Sequence, residues 1–231
     1  MMDFSGRHVI VTGGTGALGT AVVGALLEAG AHCHVPFRDN AEADRFIHRN
    51  HKNVTLTPSG DLSVEGTVTS IYGAVPSLWA SIHLAGGFAP GTVAKTGKAE
   101  LMQQIETNLV SAFLCCRAAV NAMKGGGRIV NVAARPALEW RTGAGLSAYT
   151  AAKAGVAALT VALSEEVAKD GILVNAVAPS IMDTPANRRA MPKADFETWP
   201  KVEDVAATIV FLASPDNKVT RGAVVPVYGK S

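Results

Sequence analysis

The residues best suited to chemistry in this sequence are a tyrosine and a lysine near the start of an apolar helix. Tyr149 and Lys153 are four positions apart, a spacing that places both side chains on one helix face. An ammonium group near a phenol favours the phenolate and lowers the phenol pKa from about 10 toward the range useful for acid–base catalysis. The spacing also occurs by chance, and the alternative is a partly exposed helix face with a solvated lysine.

A glycine-rich turn follows the first apolar run of the chain and opens into a helix. Residues 12–19 read TGGTGALG. Glycines let a backbone approach a pyrophosphate, whose charge is met by free N–H groups and by the positive end of the helix dipole. A tight turn without a ligand is the alternative, but the order of strand, turn and helix favours a dinucleotide site. Its predicted residues are Gly13, Thr15, Gly16, Ala17, Leu18 and Gly19.

The end of the second apolar run indicates which dinucleotide is bound. Phe37 stands where an acidic residue would bind the adenosine ribose of NAD, and Arg38 follows it. A guanidinium group suits a 2′-phosphate, so we expect NADP as the cofactor. NAD stays possible, because Arg38 could be an exposed loop residue and Asp39 could bind a ribose.

Small residues also follow the third and fourth apolar runs, where the chain would turn beside the adenine and the nicotinamide ribose. These segments are Gly60-Asp61-Leu62 and Ala85-Gly86-Gly87. We expect Asp61, Leu62, Ala85, Gly86 and Gly87 to contribute to the cofactor site. Outside this series they would carry little information, since an aspartate can cap a helix and glycines can end a strand.

The elements that must position these residues alternate between short apolar runs and stretches of helical period. Strands are predicted at 7–12, 31–36, 54–57, 81–85, 128–133, 172–178 and 223–227, and helices at 17–29, 41–50, 64–74, 100–123, 147–169 and 202–213. Strands joined by crossover helices must lie parallel in a sheet that is covered on both faces. The predicted fold class is therefore α/β, a single-domain Rossmann-type doubly wound parallel sheet over residues 1–231. An irregular stretch at 180–200 could form a substrate loop over the carboxyl ends of the strands.

Composition excludes several classes of protein. Of 231 residues, 48% are hydrophobic and 17% are charged, as in one globular domain too small to carry a separate substrate domain. The net charge of +2 is scattered, so no nucleic-acid partner is expected. No apolar run reaches the roughly 18 residues of a membrane span and no secretory pattern opens the chain, so we expect no membrane partner and a cytoplasmic location. The three cysteines lack metal-ligand spacing, and no metal site is expected.

Over its whole length the sequence resembles the short-chain dehydrogenase/reductase family. The resemblance rests on TGGTGALG, Gly60-Asp61-Leu62, Ala85-Gly86-Gly87, Asn108 in Glu106-Thr107-Asn108-Leu109, Tyr149-x-x-x-Lys153 and Ala178-Pro179-Ser180-Ile181. It implies an NAD(P)-dependent oxidoreductase with a small-molecule substrate, in which Tyr149 and Lys153 carry proton transfer. We expect both residues at the cofactor as well, because the same lysine could hold the ribose hydroxyls of the nicotinamide nucleotide.

The resemblance also implies roles for four further residues. Asn108 would support a proton-relay water beside the lysine, although from the residues alone it could be a helix polar group bonded to backbone. The stretch after the sixth strand would contact the nicotinamide carboxamide through Pro179, Ile181 and Thr184.

One position departs from the family pattern in a way that affects the chemistry. Ala134 stands where the family places a serine whose hydroxyl holds the substrate oxygen. Losing one donor to a developing oxyanion lowers the rate by about a hundredfold or more, so a simple ketone reductase would be handicapped.

A branch of the family, the dihydropteridine reductases, resembles this sequence around that position. The shared features are the run Gly13–Gly19, the segment Ala85–Phe88, an alanine at the serine position and the stretch Asp183–Trp199. A conjugated dihydropterin spreads the incoming charge over its ring, so we expect a conjugated C=N or C=O acceptor. Against this branch, its members are associated with NADH, whereas Arg38 favours NADPH.

Three functions stay open on the sequence. They are reduction of a conjugated acceptor, ordinary carbonyl reduction or alcohol oxidation, and non-catalytic dinucleotide binding. Retention of Tyr149, Lys153 and Asn108 counts against the third. Two apolar, small-residue-rich helices, around 112–123 and 154–167, lead us to expect a homodimer or homotetramer, although burial within one chain would give the same composition.

Overall fold

The computed structural model describes residues 2–231 and contains one seven-stranded parallel sheet. Its strands are β1 (His8–Thr12), β2 (His32–Phe37), β3 (Val54–Pro58), β4 (Leu78–His83), β5 (Gly127–Val132), β6 (Ile172–Pro179) and β7 (Val224–Val227). Their order in the sheet is β3-β2-β1-β4-β5-β6-β7. The order reverses between β1 and β4, so a ligand crevice is expected beyond the carboxyl ends of these two strands. The predicted doubly wound fold class is confirmed.

Within the described residues, nine α-helices cover the sheet. They are α1 (Ala17–Glu28), α2 (Asn40–Arg45), α3 (Glu65–Gly73), α4 (Lys98–Ile105), α5 (Ser111–Ala122), α6 (Arg135–Leu138), α7 (Ser147–Glu166), α8 (Pro185–Ala190) and α9 (Val202–Ala213). Helices α1 and α9 bury Leu26 and Ile209 on one face, while α3 and α5 bury Ile71 and Cys115 on the other. Because both faces are covered, the central strands β1, β4, β5 and β6 are mostly buried. Along residues 2–231, every helix is too short or too polar to cross a membrane.

Several elements depart from their predicted bounds. Strand β4 begins three residues earlier than predicted, because Leu78 already pairs with His8 of β1. Helix α2 ends at Arg45 rather than at residue 50, since Phe46 turns into an extended conformation and is buried in the core. The stretch 180–200 is not wholly irregular, because it contains α8 and a short 3₁₀ turn at Phe196–Thr198.

A π-helical turn interrupts the helix that was predicted at 100–123. Helix α4 ends at Ile105, the wider turn spans Glu106–Val110, and α5 begins at Ser111. Such a turn inserts one extra residue and changes the direction of the side chains around it. Here it contains the buried Asn108, which contacts the loop after β4.

Candidate active site

The loop between β1 and α1 is shaped by close backbone contacts. Gly13 has φ of +67°, and a Cβ atom there would lie 2.7 Å from the backbone nitrogen of Ala85. A Cβ atom on Gly19 would overlap the carbonyl oxygen of Gly13. The glycine-rich loop therefore lies so close to the loop after β4 and to the first turn of α1 that neither Gly13 nor Gly19 could carry a side chain.

Helix α1 presents its amino terminus to this turn. The N-cap residue, Gly16, has no side chain that could accept from the first-turn N–H groups, and that turn contains no acidic residue. Unpaired N–H groups and the helix dipole together favour a bound anion. The turn also has a polar contact at its edge, where the Thr15 hydroxyl donates to Glu42 Oε2 over 3.0 Å. The residues of this turn fit the pyrophosphate of a dinucleotide.

Buried Thr12 joins the glycine turn to the loop after β4. Its carbonyl oxygen accepts from the Leu84 N–H at 3.1 Å, and its hydroxyl accepts from the Ala85 N–H at 3.4 Å. The predicted segments 12–19 and 85–87 thus form neighbouring parts of one crevice.

Asn108 and Lys153 meet at this loop. Asn108 accepts from the Gly87 N–H at 3.1 Å and donates back to the Gly87 carbonyl oxygen at 3.0 Å. A Cβ atom on Gly86 would lie 2.8 Å from Asn108 Oδ1 and 3.5 Å from Lys153 Nζ. Three residues predicted from separate parts of the sequence are therefore in direct proximity. The backbone-bonded arrangement of Asn108 that was the alternative at the sequence level is also present.

Tyr149 and Lys153 lie on one face of α7, as their spacing predicted. Lys153 is buried and donates from Nζ to the Val132 carbonyl oxygen at 2.8 Å, while Nζ lies 6.0 Å from the centroid of the tyrosine ring. Burial lowers the pKa of Lys153 to about 8 and raises the pKa of Tyr149 to about 12. The expectation that the lysine lowers the tyrosine pKa is wrong for this arrangement, because Nζ is bonded to Val132 and desolvation of the phenol dominates.

An aromatic side chain packs against the tyrosine. The Phe88 ring meets the Tyr149 ring edge to face, with centroids 5.1 Å apart and planes at 83°, and Phe88 itself is 63% exposed. A cavity of about 260 Å³ is lined by their chain neighbours Ala89 and Ala148 but by neither ring. It is lined by residues 89–92, Lys95, Thr96, Glu100, Gln104 and Ala148. Pockets for drug-sized ligands measure about 300–1,000 Å³, so this cavity suits a small substrate.

Ala134 occupies the N-cap of α6, two residues beyond the carbonyl that binds Lys153. It is buried, and its methyl group offers no hydrogen-bond donor. The exposed Ser147, at the start of α7, is the hydroxyl residue nearest in sequence to Tyr149 on its amino-terminal side.

Arg38 lies just beyond β2 at the surface. Its side chain is 73% exposed and its Nη1 lies 3.6 Å from Asp61 Oδ2, which brings two predicted cofactor residues together. The Asp39 carboxylate instead caps α2 by accepting from the Ala41 N–H at 2.8 Å. Of the two neighbouring residues, the arginine is therefore more available to a ligand.

The remaining predicted residues differ in how they are held. Pro179 ends β6 and pairs with Val227 of β7. Ile181 is 45% exposed. The Thr184 hydroxyl caps α8 by accepting from the Asn187 N–H at 3.1 Å. The side chains of Leu18 and Leu62 pack into or against the core. Only the backbone of these two leucines remains for a cofactor contact.

Three features of the site escaped sequence reasoning. The Val132 carbonyl that binds Lys153 carries no sequence signal, because every residue of the chain has a backbone carbonyl. The buried hydroxyl of Thr12 and the ring of Phe88 did carry a signal, since they directly flank the glycine segments 13–14 and 86–87. Their contacts with Ala85 and Tyr149 required the folded chain.

The chain is similar to known proteins over nearly all of its length. The family model for short chain dehydrogenases matches residues 7–195. The (2S)-[(R)-hydroxy(phenyl)methyl]succinyl-CoA dehydrogenase subunit BbsD of Thauera aromatica is 30% identical, and the alignment covers 99% of this chain and 97% of that protein. The 3-oxoacyl-[acyl-carrier-protein] reductase FabG of Vibrio cholerae is 28% identical over 99% of this chain and 98% of its own.

Solved structures agree with these relatives. The structure of ElxO with NADP bound has a TM-score of 0.88 and 25% identity to this chain, over 99% of this chain and 98% of its own. The chain belongs to the short-chain dehydrogenase family and is an NAD(P)-dependent oxidoreductase.

Proposed function

We propose that the protein reduces a conjugated C=N or C=O acceptor with NADPH, and that a quinonoid dihydropterin is the first acceptor to test. The observation that carries this proposal is the buried methyl group of Ala134 beside the Lys153 anchor. A simple ketone becomes a localised alkoxide that needs a hydroxyl donor, whereas a conjugated ring spreads the same charge over several atoms. The missing hydroxyl therefore lowers the reduction rate least for a conjugated acceptor.

The cofactor preference follows from the residues beyond β2. Arg38 is exposed and can form a bidentate contact with a phosphate, while the Asp39 carboxylate is engaged in capping α2. The similarity to ElxO, whose structure contains NADP, agrees with this preference. When bound, the reduced cofactor supplies a hydride from its nicotinamide ring.

Three parts of the chain would hold the dinucleotide. The pyrophosphate would lie against the N–H groups of the glycine turn and of the first turn of α1. The adenosine end would lie near Arg38 and Asp61. The nicotinamide end would lie near the loop after β4 and the segment after β6. These contacts involve Gly13, Thr15, Gly16, Ala17, Leu18, Gly19, Leu62, Ala85, Gly86, Gly87, Pro179, Ile181 and Thr184.

Tyr149 would donate the proton that completes the reduction. Its pKa of about 12 keeps the phenol protonated at neutral pH, so it is an acid and not a base before the reaction. The phenolate that remains must then regain a proton, while Lys153 would hold the ribose hydroxyls of the nicotinamide nucleotide beside it. Asn108 would position the Gly87 backbone and support a water on the path by which that proton arrives.

The shape of the site also favours a flat acceptor. The Phe88 ring lies against Tyr149, and much of its surface is exposed. Ala134 adds little volume above the Val132 anchor. A planar ring could therefore pack beside Phe88 while reaching the phenol hydroxyl.

A second candidate function is reduction of an ordinary carbonyl or oxidation of an alcohol. The names of several relatives favour it, among them the FabG reductase and a galactitol 2-dehydrogenase from Rhizobium johnstonii that is 31% identical over 96% of this chain and 93% of its own. This function requires another hydrogen-bond donor in place of the serine hydroxyl. Non-catalytic dinucleotide binding is the third possibility, and it requires no proton donor at all.

Activity measurements separate the three functions. Purified protein is titrated with NADPH and NADH, and chemically generated quinonoid dihydropterin or a simple ketone is then added while the absorbance of the reduced cofactor is followed. We expect oxidation of NADPH with the pterin and little with the ketone. Rapid ketone reduction without pterin turnover would favour the second function and overturn the proposal.

Two variants sharpen this test. Tyr149→Phe should retain cofactor affinity and lose most of the rate, because only the proton donor is removed. Ala134→Ser should raise ketone reduction by about a hundredfold while leaving the pterin rate nearly unchanged. A Tyr149→Phe variant with full activity would contradict the assigned donor.

The quaternary state is a separate proposal, in which α4, α5 and α7 form a homodimer or homotetramer interface. Leu101, Met102, Phe113 and Val161 on these helices are large apolar side chains that remain 37–49% exposed in one chain. Burying such a surface against a second copy removes it from water. Light scattering of the native protein and of Phe113→Glu should show an oligomer that the charge weakens.

A further inference from the structure

Three histidines meet at the amino ends of two strands. His8 begins β1 and pairs with His32 of β2, while His34 lies two residues further along β2. Alternate residues of a strand face the same side, so His32 and His34 share one face of the sheet. One potential ligand atom from each of the three side chains lies within 4.8 Å of the others. We refer to these residues as the histidine cluster.

The histidine cluster is packed tightly through nitrogen atoms. His8 Nδ1 lies 2.9 Å from His34 Nε2, and the three ring centroids are separated by 5.1, 5.2 and 4.9 Å. On the neighbouring strand β3, the Thr55 hydroxyl lies 2.9 Å from His32 Nε2. All three histidines are half-buried. The rings are thus held in place by the sheet while solvent still reaches them.

We propose that His8, His32 and His34 form a binding site for a transition-metal ion, with Zn²⁺ as the representative ion. Three imidazole ligands with a fourth position for water are an established zinc ligand set. Zn–N distances of about 2.0–2.1 Å place the nitrogens of a tetrahedral site about 3.3 Å apart. His8 Nδ1 and His34 Nε2, now 2.9 Å apart, must therefore separate by a few tenths of an ångström. Small side-chain rotations, with the strands fixed, would move the His32 ring into position as the third ligand.

The chemistry of the ligands selects the class of ion. Imidazole nitrogen suits zinc, copper and nickel, whereas Mg²⁺ and Ca²⁺ prefer oxygen ligands. Thr55 would act as a positioning residue, because a partner on one ring nitrogen fixes the orientation of a ligating histidine. The ion would join β1 to β2, with β3 linked through the threonine.

The proposed metal site is distinct from the dinucleotide crevice. His8 precedes Thr12 by four residues of extended strand, a separation of roughly 13 Å. Thr12 borders the crevice, whereas His8 is at the opposite end of β1. Metal binding is therefore expected to affect the stability of this part of the sheet without supplying a group to the reaction.

No metal site was predicted from the sequence, because the three cysteines lack metal-ligand spacing and the three histidines are not all close together in the chain. The two residues of β2 follow a His-x-His pattern, but the third ligand is 24 positions away and joins them only through strand pairing.

Calorimetric titration with Zn²⁺ tests the site directly. The protein is used without a histidine tag and is first treated with a chelator. We expect one Zn²⁺ per chain at micromolar concentrations, no binding of Mg²⁺, and visible absorption from Co²⁺ that reports a tetrahedral nitrogen-containing site. Absence of Zn²⁺ binding by the wild-type protein would overturn the proposal without reference to any variant.

Matched variants locate the binding. Loss of a group that only hydrogen-bonds to a ligating histidine reduces metal affinity by about 10–100-fold, and this is the loss expected for Thr55→Val. His34→Asn removes a ligand itself and should weaken Zn²⁺ binding by at least about 100-fold. His51→Asn is the control, because His51 is an exposed histidine outside the cluster. Far-ultraviolet circular dichroism and the urea midpoint establish that each variant is folded. Equal affinity in His34→Asn, or an equal loss in His51→Asn, would refute the assignment.

Discussion

Replacement of Lys153 by methionine should make the protein more stable while removing activity. Lys153 is only 7% exposed, and burial lowers its pKa from 10.5 to about 8. One pKa unit corresponds to about 1.4 kcal/mol, so keeping this side chain charged in the native state costs about 3 kcal/mol near neutral pH. Methionine fills much of the same space without a charge.

The loss of one hydrogen bond offsets part of this gain. Lys153 Nζ donates to the Val132 carbonyl oxygen at 2.8 Å, and methionine leaves that oxygen without its donor. A hydrogen bond from a charged donor contributes about 1.5–3 kcal/mol. The free energy of unfolding of Lys153→Met at pH 7 should therefore exceed that of the wild type by about 1 kcal/mol.

This difference should decrease as the pH rises. Below pH 8 the lysine is mostly protonated in both the native and the unfolded state, so the full penalty is present. Between pH 8 and 10.5 the native state has lost the proton while the unfolded state retains it, and the wild type becomes more stable relative to the variant. By pH 10 the wild type should be the more stable of the two proteins.

Urea unfolding without cofactor at pH 7, 8, 9 and 10 measures both effects. Lys169→Met is the control, because Lys169 is exposed beyond the end of α7 and should show no comparable stabilisation. A Lys153→Met variant less stable than the wild type at pH 7 would refute the reasoning. A difference that stays constant from pH 7 to pH 10 would also refute it, since it could not arise from this titration.

Three further predictions concern the cofactor crevice. Gly19→Ala places a Cβ atom against the Gly13 carbonyl oxygen and should raise the NADPH Kd more than tenfold in a fluorescence titration. The control, Gly66→Ala, should leave the Kd unchanged, because a Cβ atom there meets nothing within 4 Å. Arg38→Gln should raise the NADPH Kd by about 10–100-fold and leave the NADH Kd nearly unchanged, because it removes a charged phosphate contact; equal losses would contradict NADPH selection. Asn108→Ala should lower the free energy of unfolding by about 1–3 kcal/mol and reduce turnover, since the Gly87 N–H and carbonyl lose their partner; urea unfolding and initial rates measure the two effects.

The order of the elements was predictable because the central strands are largely buried and each crossover helix is amphipathic or small-residue rich. The boundaries of the strands and helices were less predictable than their order. Strand β4 begins at Leu78, where pairing with His8 decides the start, and no local pattern records that pairing. The π-helical turn around Asn108 was also not predicted, since one extra residue within a helix leaves the apolar pattern nearly intact.

Within the candidate site, sequence spacing predicted which residues share a helix face, but it did not predict the pKa values, which depend on contacts between elements. Tyr149 and Lys153 share a face of α7 as expected from their four-residue separation. The pKa of the tyrosine nevertheless rises, because the lysine is bonded to a β5 carbonyl and the phenol is desolvated. Burial depends on the packed tertiary structure, which a residue-spacing rule does not contain.

The buried lysine also bears on the choice among the proposed functions. A protein that only holds a dinucleotide has no use for a proton donor, and an apolar residue at position 153 would be more stable by about 1 kcal/mol. The charge is instead placed among the Asn108 amide, the loop after β4 and the face that carries Tyr149. A destabilising charge held beside a potential acid is the arrangement expected of a catalytic site. The cost of Lys153 therefore argues for turnover, and Ala134 then concerns which acceptor is reduced rather than whether the site reacts.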